Sequence, residues 1–143
     1  MKFSKYNSEH YLNFTAYEAM VNIDREERAR RFRPLVYICS PYAGDVETNT
    51  KNARRYSRFA IESHTIPITP HLLYPQFLDD NVEAERDLGR FIGIVLLSKC
   101  SEIWVFGDRI SEGMKAEIDR ARYKNIPIRY FSTDCKEVQH YEI

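Results

Sequence analysis

The chain has 143 residues, with 21 basic and 21 acidic side chains and a pI near 6.9. That length suits one domain with a proper core. The balanced charge excludes a basic field for nucleic acid and an acidic field for a cationic partner. The longest apolar run, Ile92 to Leu97, is too short to span a membrane, and Met1 to Lys5 lacks the apolar segment of a signal peptide. Three widely spaced cysteines, Cys39, Cys100 and Cys135, read as free thiols in a reducing cytoplasm, not as a zinc site.

Residues 1–14 show no period and read as a loosely ordered arm. Thr15-Ala16-Tyr17-Glu18 has capping-box spacing, with the threonine as N-cap. It predicts a helix over about 16–31. Acids and bases alternate in Asp24 to Arg33, which reads as a solvated helix face. The main domain is expected from Pro34 on, dividing the chain into 1–33 and 34–143.

Leu35 to Cys39 is a short continuous apolar run, the mark of a strand buried on both faces. The loop Ser40-Pro41-Tyr42-Ala43-Gly44-Asp45 follows, then a helix over about 50–63 capped by Asn49 or Thr50. Ile66 to Thr69 is a second strand, and Pro67 puts it at an edge or at a strand start. Pro70 to Asp80 is a loop, Glu83 to Ser98 a helix and Ile103 to Phe106 a third strand, with Trp104 and Phe106 in the core. A helix over 114–125 and a strand over 126–131 close the domain. The predicted class is α/β: a Rossmann-like, flavodoxin-like three-layer sandwich with a mostly parallel sheet of four to five strands and an extra N-terminal helix.

Three segments carry candidate chemistry. The loop after the first strand joins a strand end to a helix N-terminus, where free N–H groups favour an anion. Ser40, Tyr42 and Gly44 are its candidate ligand contacts, and it lacks both the dinucleotide fingerprint and the P-loop pattern. The second segment is Ser111 to Glu117. Ser111, Gly113 and Met114 shape the next helix start, and the dipole there favours an ionised Glu117. Met114, Ile118 and Ala121 share an apolar face, and Glu117 falls at its edge. The competing reading pairs Glu117 with Arg120 on the surface. The third segment is Thr69 to Asp80, where His71 stands above the same sheet edge as a possible proton shuttle or ligand contact. Arg86 and Asp87 on the following helix read as an internal ion pair. His10, His64 and His140 have no partners at metal-ligand spacing, so no metal is assigned and no cofactor is expected.

Together these segments resemble the nucleoside 2-deoxyribosyltransferase superfamily, nearest to a small uncharacterised phage and bacterial branch (DUF4406-like). The matching residues are Val36 to Tyr42 with Gly44 and Asn49, Ile68-Thr69-Pro70-His71, Cys100 to Phe106, and Gly113-Met114-Lys115-Ala116-Glu117 with Ala121. The resemblance covers about 35–131. It implies a glutamate nucleophile at Glu117 and a base and sugar pocket lined by the loop after the first strand. Asp119 stands where many members carry glycine.

The leading functional expectation is cleavage or transfer at the N-glycosidic bond of a (2-deoxy)nucleoside or nucleotide. The alternatives are a nucleotide-binding or sequestering module and an adaptor with a dead site. A homo-oligomer, most simply a dimer, is expected because Phe91, Ile92, Ile94, Val95, Leu96 and Leu97 surround the second half of one helix with apolar groups.

Overall fold

The computed structural model of the protein describes residues 14–139. The chain divides into two compact units, 1–33 and 34–143. In the first, α1 spans Phe14–Arg30, and Arg28 pairs with Asp24 one turn away. Thr15 already lies inside α1, so it is not the expected N-cap. Residues three apart share a helix face anywhere along it, so Thr-x-x-Glu spacing does not by itself mark a start. The expected N-terminal arm falls almost wholly outside the described residues.

The second unit is a five-stranded sheet in the order β2-β1-β3-β4-β5. Its strands are β1 (Leu35–Cys39), β2 (Ile66–Ile68), β3 (Glu102–Phe106), β4 (Ile128–Phe131) and β5 (Glu137–Val138). The first four run parallel, and β5 returns antiparallel along β4. Three helices complete the unit: α2 (Val46–Glu62), α3 (Glu83–Leu97) and α4 (Glu112–Tyr123). The 2-1-3-4 order leaves a crevice beyond the carboxyl ends of β1 and β3, where the chain changes direction of winding.

Period-two alternation along β1 and β3 sorts the core into two layers. Tyr37, Cys39, Ile103 and Val105 pack with Leu97, Met114, Ile118 and Ala121 of α3 and α4. Val36, Ile38, Trp104 and Phe106 pack with Tyr56 and Ala60 of α2 and with Phe131. Tyr56 stacks on Phe106 at 4.3 Å between ring centroids. Pro67 sits on the edge strand β2, where its missing donor costs no ladder bond.

Three boundaries differ from the sequence reading. Helix α2 starts at Val46, with Asp45 as N-cap accepting from the Thr48 N–H at 3.2 Å. Asn49 is instead drawn back into the loop, donating to the Tyr42 and Ala43 carbonyls at 3.1 Å each. The segment 70–80 folds as two single 3₁₀ turns, Pro70–Leu72 and Tyr74–Gln76. The domain closes on β5, not on β4. Arg129 binds Glu137 at 2.6 Å and lies 5.0 Å over Trp104, which holds that short strand in place.

Candidate active site

The β1–α2 loop turns at Gly44 and the β3–α4 loop at Gly107, with φ of 96° and 103°. Both conformations belong to glycine. Between the two loops lies a cleft of about 530 Å³ lined by Pro41, Gly44, Asn49, Asp108, Arg109 and Ser111 among others. A second opening of about 600 Å³ lies on the other side of the β1–α2 loop, against Tyr42, Phe77 and Asp79 to Asn81. Glu117 lines neither opening.

Ser111 is the N-cap of α4, its hydroxyl accepting from the Met114 N–H at 3.2 Å. Gly113, in the first turn, has nothing within 4 Å of where a Cβ would sit. The Met114 side chain is core, and only its backbone is near the turn: its carbonyl accepts from the Cys39 thiol at 3.8 Å. The start of α4 is thereby fastened to the carboxyl end of β1.

One turn further in, Glu117 is half-buried and takes a hydrogen bond from the Tyr37 hydroxyl. Its Oε2 is fully enclosed and has no partner. Burial pushes the carboxyl up to about 7, against the opposing pull of the Tyr37 bond. Burial and the neighbouring carboxylate push the Tyr37 hydroxyl up as well, so it stays protonated and remains a donor. The surface pairing with Arg120 does not occur. That guanidinium lies 5.1 Å over the Tyr123 ring, with Nε enclosed and unbonded. Gly93 of α3 abuts the same hydroxyl: a Cβ there would sit 3.1 Å from Tyr37 Oη.

Ser40 and His71 meet, Oγ to Nε2, at 2.9 Å. Burial drops the imidazole to about 4, so it is neutral at ordinary pH and serves as a fixed donor or acceptor. Tyr42 stands edge-on to it at 6.3 Å. The structure therefore joins Ser40, Tyr42 and His71 in one group and Gly44 with Ser111 in one cleft. The sequence reading missed Tyr37 as a site residue. Its signal was a tyrosine inside a continuous apolar strand, since a buried phenol needs a hydrogen-bond partner. The expected Arg86–Asp87 ion pair is also absent: Arg86 Nε is enclosed without a partner.

Among the described residues no group of three or more His, Cys, Asp or Glu side chains could hold a metal. No helix there is long and apolar enough to cross a membrane. Cys39 and Cys100 are buried free thiols, and Cys135 is half-buried and free.

The five-stranded, mostly parallel sheet with its crossover helices is a fold shared with 2-deoxyribosyltransferases. The enzyme of the psychrotolerant bacterium Bacillus psychrosaccharolyticus superposes with a TM-score of 0.59 at 12% identity, over 76% of this chain and 86% of that one. The 2-deoxyribosyltransferase of Leishmania mexicana gives 0.51 at 15% identity, over 69% of this chain and 64% of that one. The chain belongs to the family described as a domain of unknown function, DUF7768, whose model matches residues 34–131. No curated protein matches it by sequence.

Proposed function

We propose that this protein cleaves or transfers at the N-glycosidic bond of a 2-deoxynucleoside or its nucleotide, with Glu117 as nucleophile. The observation that carries the reading is the half-buried Glu117 carboxylate, with one oxygen unpartnered and the Tyr37 hydroxyl as its orienting donor. A surface glutamate on a helix has no need of either feature. In the reaction the carboxylate oxygen attacks C1′ while the C1′–N bond breaks, and the base leaves with the bonding pair and gains a proton. Water or a second base then attacks C1′ of the glycosyl ester and releases the carboxylate. A 2-deoxy sugar lacks the electron-withdrawing hydroxyl, so its oxocarbenium-like state is easier for one carboxylate to reach. Ser40, Tyr42, Gly44 and His71 on one side, and Ser111, Gly113 and the Met114 backbone on the other, are the proposed substrate contacts. Free thiols fit a reducing compartment, the cytoplasm.

A second reading is favoured by one observation: Glu117 lines neither opening. On that reading the protein binds a nucleotide without turning it over. Incubation with a panel of deoxynucleosides and their monophosphates, with and without a second free base, separates the two. Free base or exchanged nucleoside, lost in Glu117→Gln, supports catalysis. Stabilisation on heating without any turnover supports binding alone. Gly113→Val tests the placement. The position is open, so the fold should hold, while binding should weaken more than tenfold.

A further inference from the structure

Strand β1 meets α4 through polar groups at two points. Tyr37 and Cys39 stand two residues apart, so both side chains leave the same face of the strand. Tyr37 reaches the Glu117 carboxylate, and Cys39 reaches the Met114 carbonyl, its thiol donating at 3.8 Å. Met114 and Glu117 are three residues apart on α4, nearly one turn and about 4.5 Å along its axis. The two contacts are therefore neighbouring rungs between one strand and one helix.

Met114 is the fixed point of that helix. Its N–H donates to the Ser111 hydroxyl at 3.2 Å, its carbonyl takes the Cys39 thiol, and its side chain is fully buried. Turning α4 about its axis would carry Met114 off Cys39 and Glu117 off Tyr37 together. Cys39 is itself fully buried. Burial, and then the Glu117 carboxylate beside it, push the thiol well up, so it stays protonated and remains a donor. The other buried thiol of this layer, Cys100, donates to the Leu96 carbonyl at 3.3 Å, and Arg120 lies over Tyr123. From α3, Gly93 faces the Tyr37 hydroxyl and brings no charge. Apolar packing is non-directional, whereas a hydrogen bond to one carbonyl selects one rotation.

We propose that Cys39 is a positioning residue for Glu117: its thiol holds the first turn of α4 at the rotation that presents the carboxylate to Tyr37. This rests on the N-glycosidic reading for what Glu117 does, but not for how Glu117 is held. A reacting carboxylate must be kept within a fraction of an ångström of its productive place, and the groups behind it do that. Cys39 touches neither substrate nor reacting atom on this account. It acts through the Met114 carbonyl, one turn before the nucleophile.

The test uses Cys39→Ala and Cys39→Ser, two side chains of nearly equal size of which only serine keeps a donor. Cys100→Ala controls for loss of a buried thiol from the same core layer. Each is read by carbon NMR titration of the Glu117 side-chain carboxyl, whose wild-type midpoint lies at about 7. In Cys39→Ala the midpoint should fall by at least about one pH unit, as α4 turns and water reaches the carboxyl. Cys39→Ser and Cys100→Ala should stay within about 0.3 unit of wild type, whatever their melting temperatures. An unmoved midpoint in Cys39→Ala, or an equal fall in either of the others, overturns the proposal, because the thiol then only fills space. Wild type supplies a reading that needs no variant to fold. The Cys39 thiol proton should exchange slowly and give through-space cross-peaks to the protons around Met114, and its absence overturns the proposal. With a deoxynucleoside that wild type turns over, Cys39→Ala should lose at least tenfold in kcat at pH 8 with KM changed less than threefold. An unchanged kcat overturns the proposal. If wild type turns over no such substrate, the glycosidic reading fails, and the NMR titration still decides the role of Cys39.

Discussion

The Tyr37 hydroxyl, on the inner strand β1, donates to the Glu117 carboxylate on α4 and so joins the core to the proposed nucleophile. Burial raises the Glu117 pKa to about 7 and the tyrosine opposes that rise. Turnover by an ionised Glu117 should therefore climb through about pH 7. Tyr37→Phe removes the opposing bond and should move that limb to higher pH. Glu117→Gln should cut turnover by orders of magnitude and keep the fold. The unfolded carboxyl titrates near 4.5 and the folded one near 7. The folded state therefore holds more protons between them, and its stability falls as pH rises through that window. Glu117→Gln should thus be more stable than wild type at pH 8, with the gain shrinking toward pH 5. Denaturant titration at both pH values checks this.

Gly93→Ala should disturb the same bond from the other side. Its Cβ would press within 3.1 Å of Tyr37 Oη, tighter than ordinary packing allows. A cost of about 1–3 kcal/mol is expected from overpacking. Nuclear magnetic resonance of the Glu117 side-chain carboxyl should show a changed titration midpoint. An unchanged midpoint would mean that the hydroxyl yields without leaving its partner.

The Ser40–His71 contact should make the fold acid-sensitive. Burial holds the folded imidazole near 4, against 6.5 when free. Between those values the unfolded chain binds the extra proton, so stability drops as pH falls from 6.5 to 4. His71→Asn should flatten this slope. It should also cost about 1–2 kcal/mol at every pH if the buried Ser40 hydroxyl loses its partner. Glu117 acts in the opposite sense over much of the same range, so the slope is best read in a Glu117→Gln background.

We propose a homo-oligomer assembled through α3. Leu88, Phe91 and Val95 follow one another at i, i+3 and i+7, exposed by 47%, 62% and 37%. Light scattering at micromolar concentration should give a dimer mass, and Phe91→Asp should return a monomer. A monomer mass for wild type removes this assembly.

Strands β1 and β3 were legible as short continuous apolar runs because both are buried on two faces. Glu117 was legible for a related reason. Register placed it at the rim of the Met114–Ile118–Ala121 face, and it stands there half-buried. The start of α2 was not, because Asp45, Asn49 and Thr50 are all competent caps and only the loop's own carbonyls decide that Asn49 turns back. Strand β5 was hidden for another reason. Two residues carry no periodicity, and its place depends on Arg129 reaching Glu137. Pairings such as Ser40 with His71, or Tyr37 with Glu117, join distant elements and leave no mark in local spacing.

The two rims of the sheet are closed by different means. Beside β1, the outermost strand carries Pro67, which offers no N–H to a newcomer. On the opposite rim, β4 has already taken a partner in β5, and the Arg129 clasp to Glu137 and Glu102 keeps it there. Neither rim offers another chain a long ladder of free backbone groups. Recruitment of further copies by sheet extension is thereby discouraged, which leaves helical surfaces and loop clefts as the routes by which this domain meets other molecules.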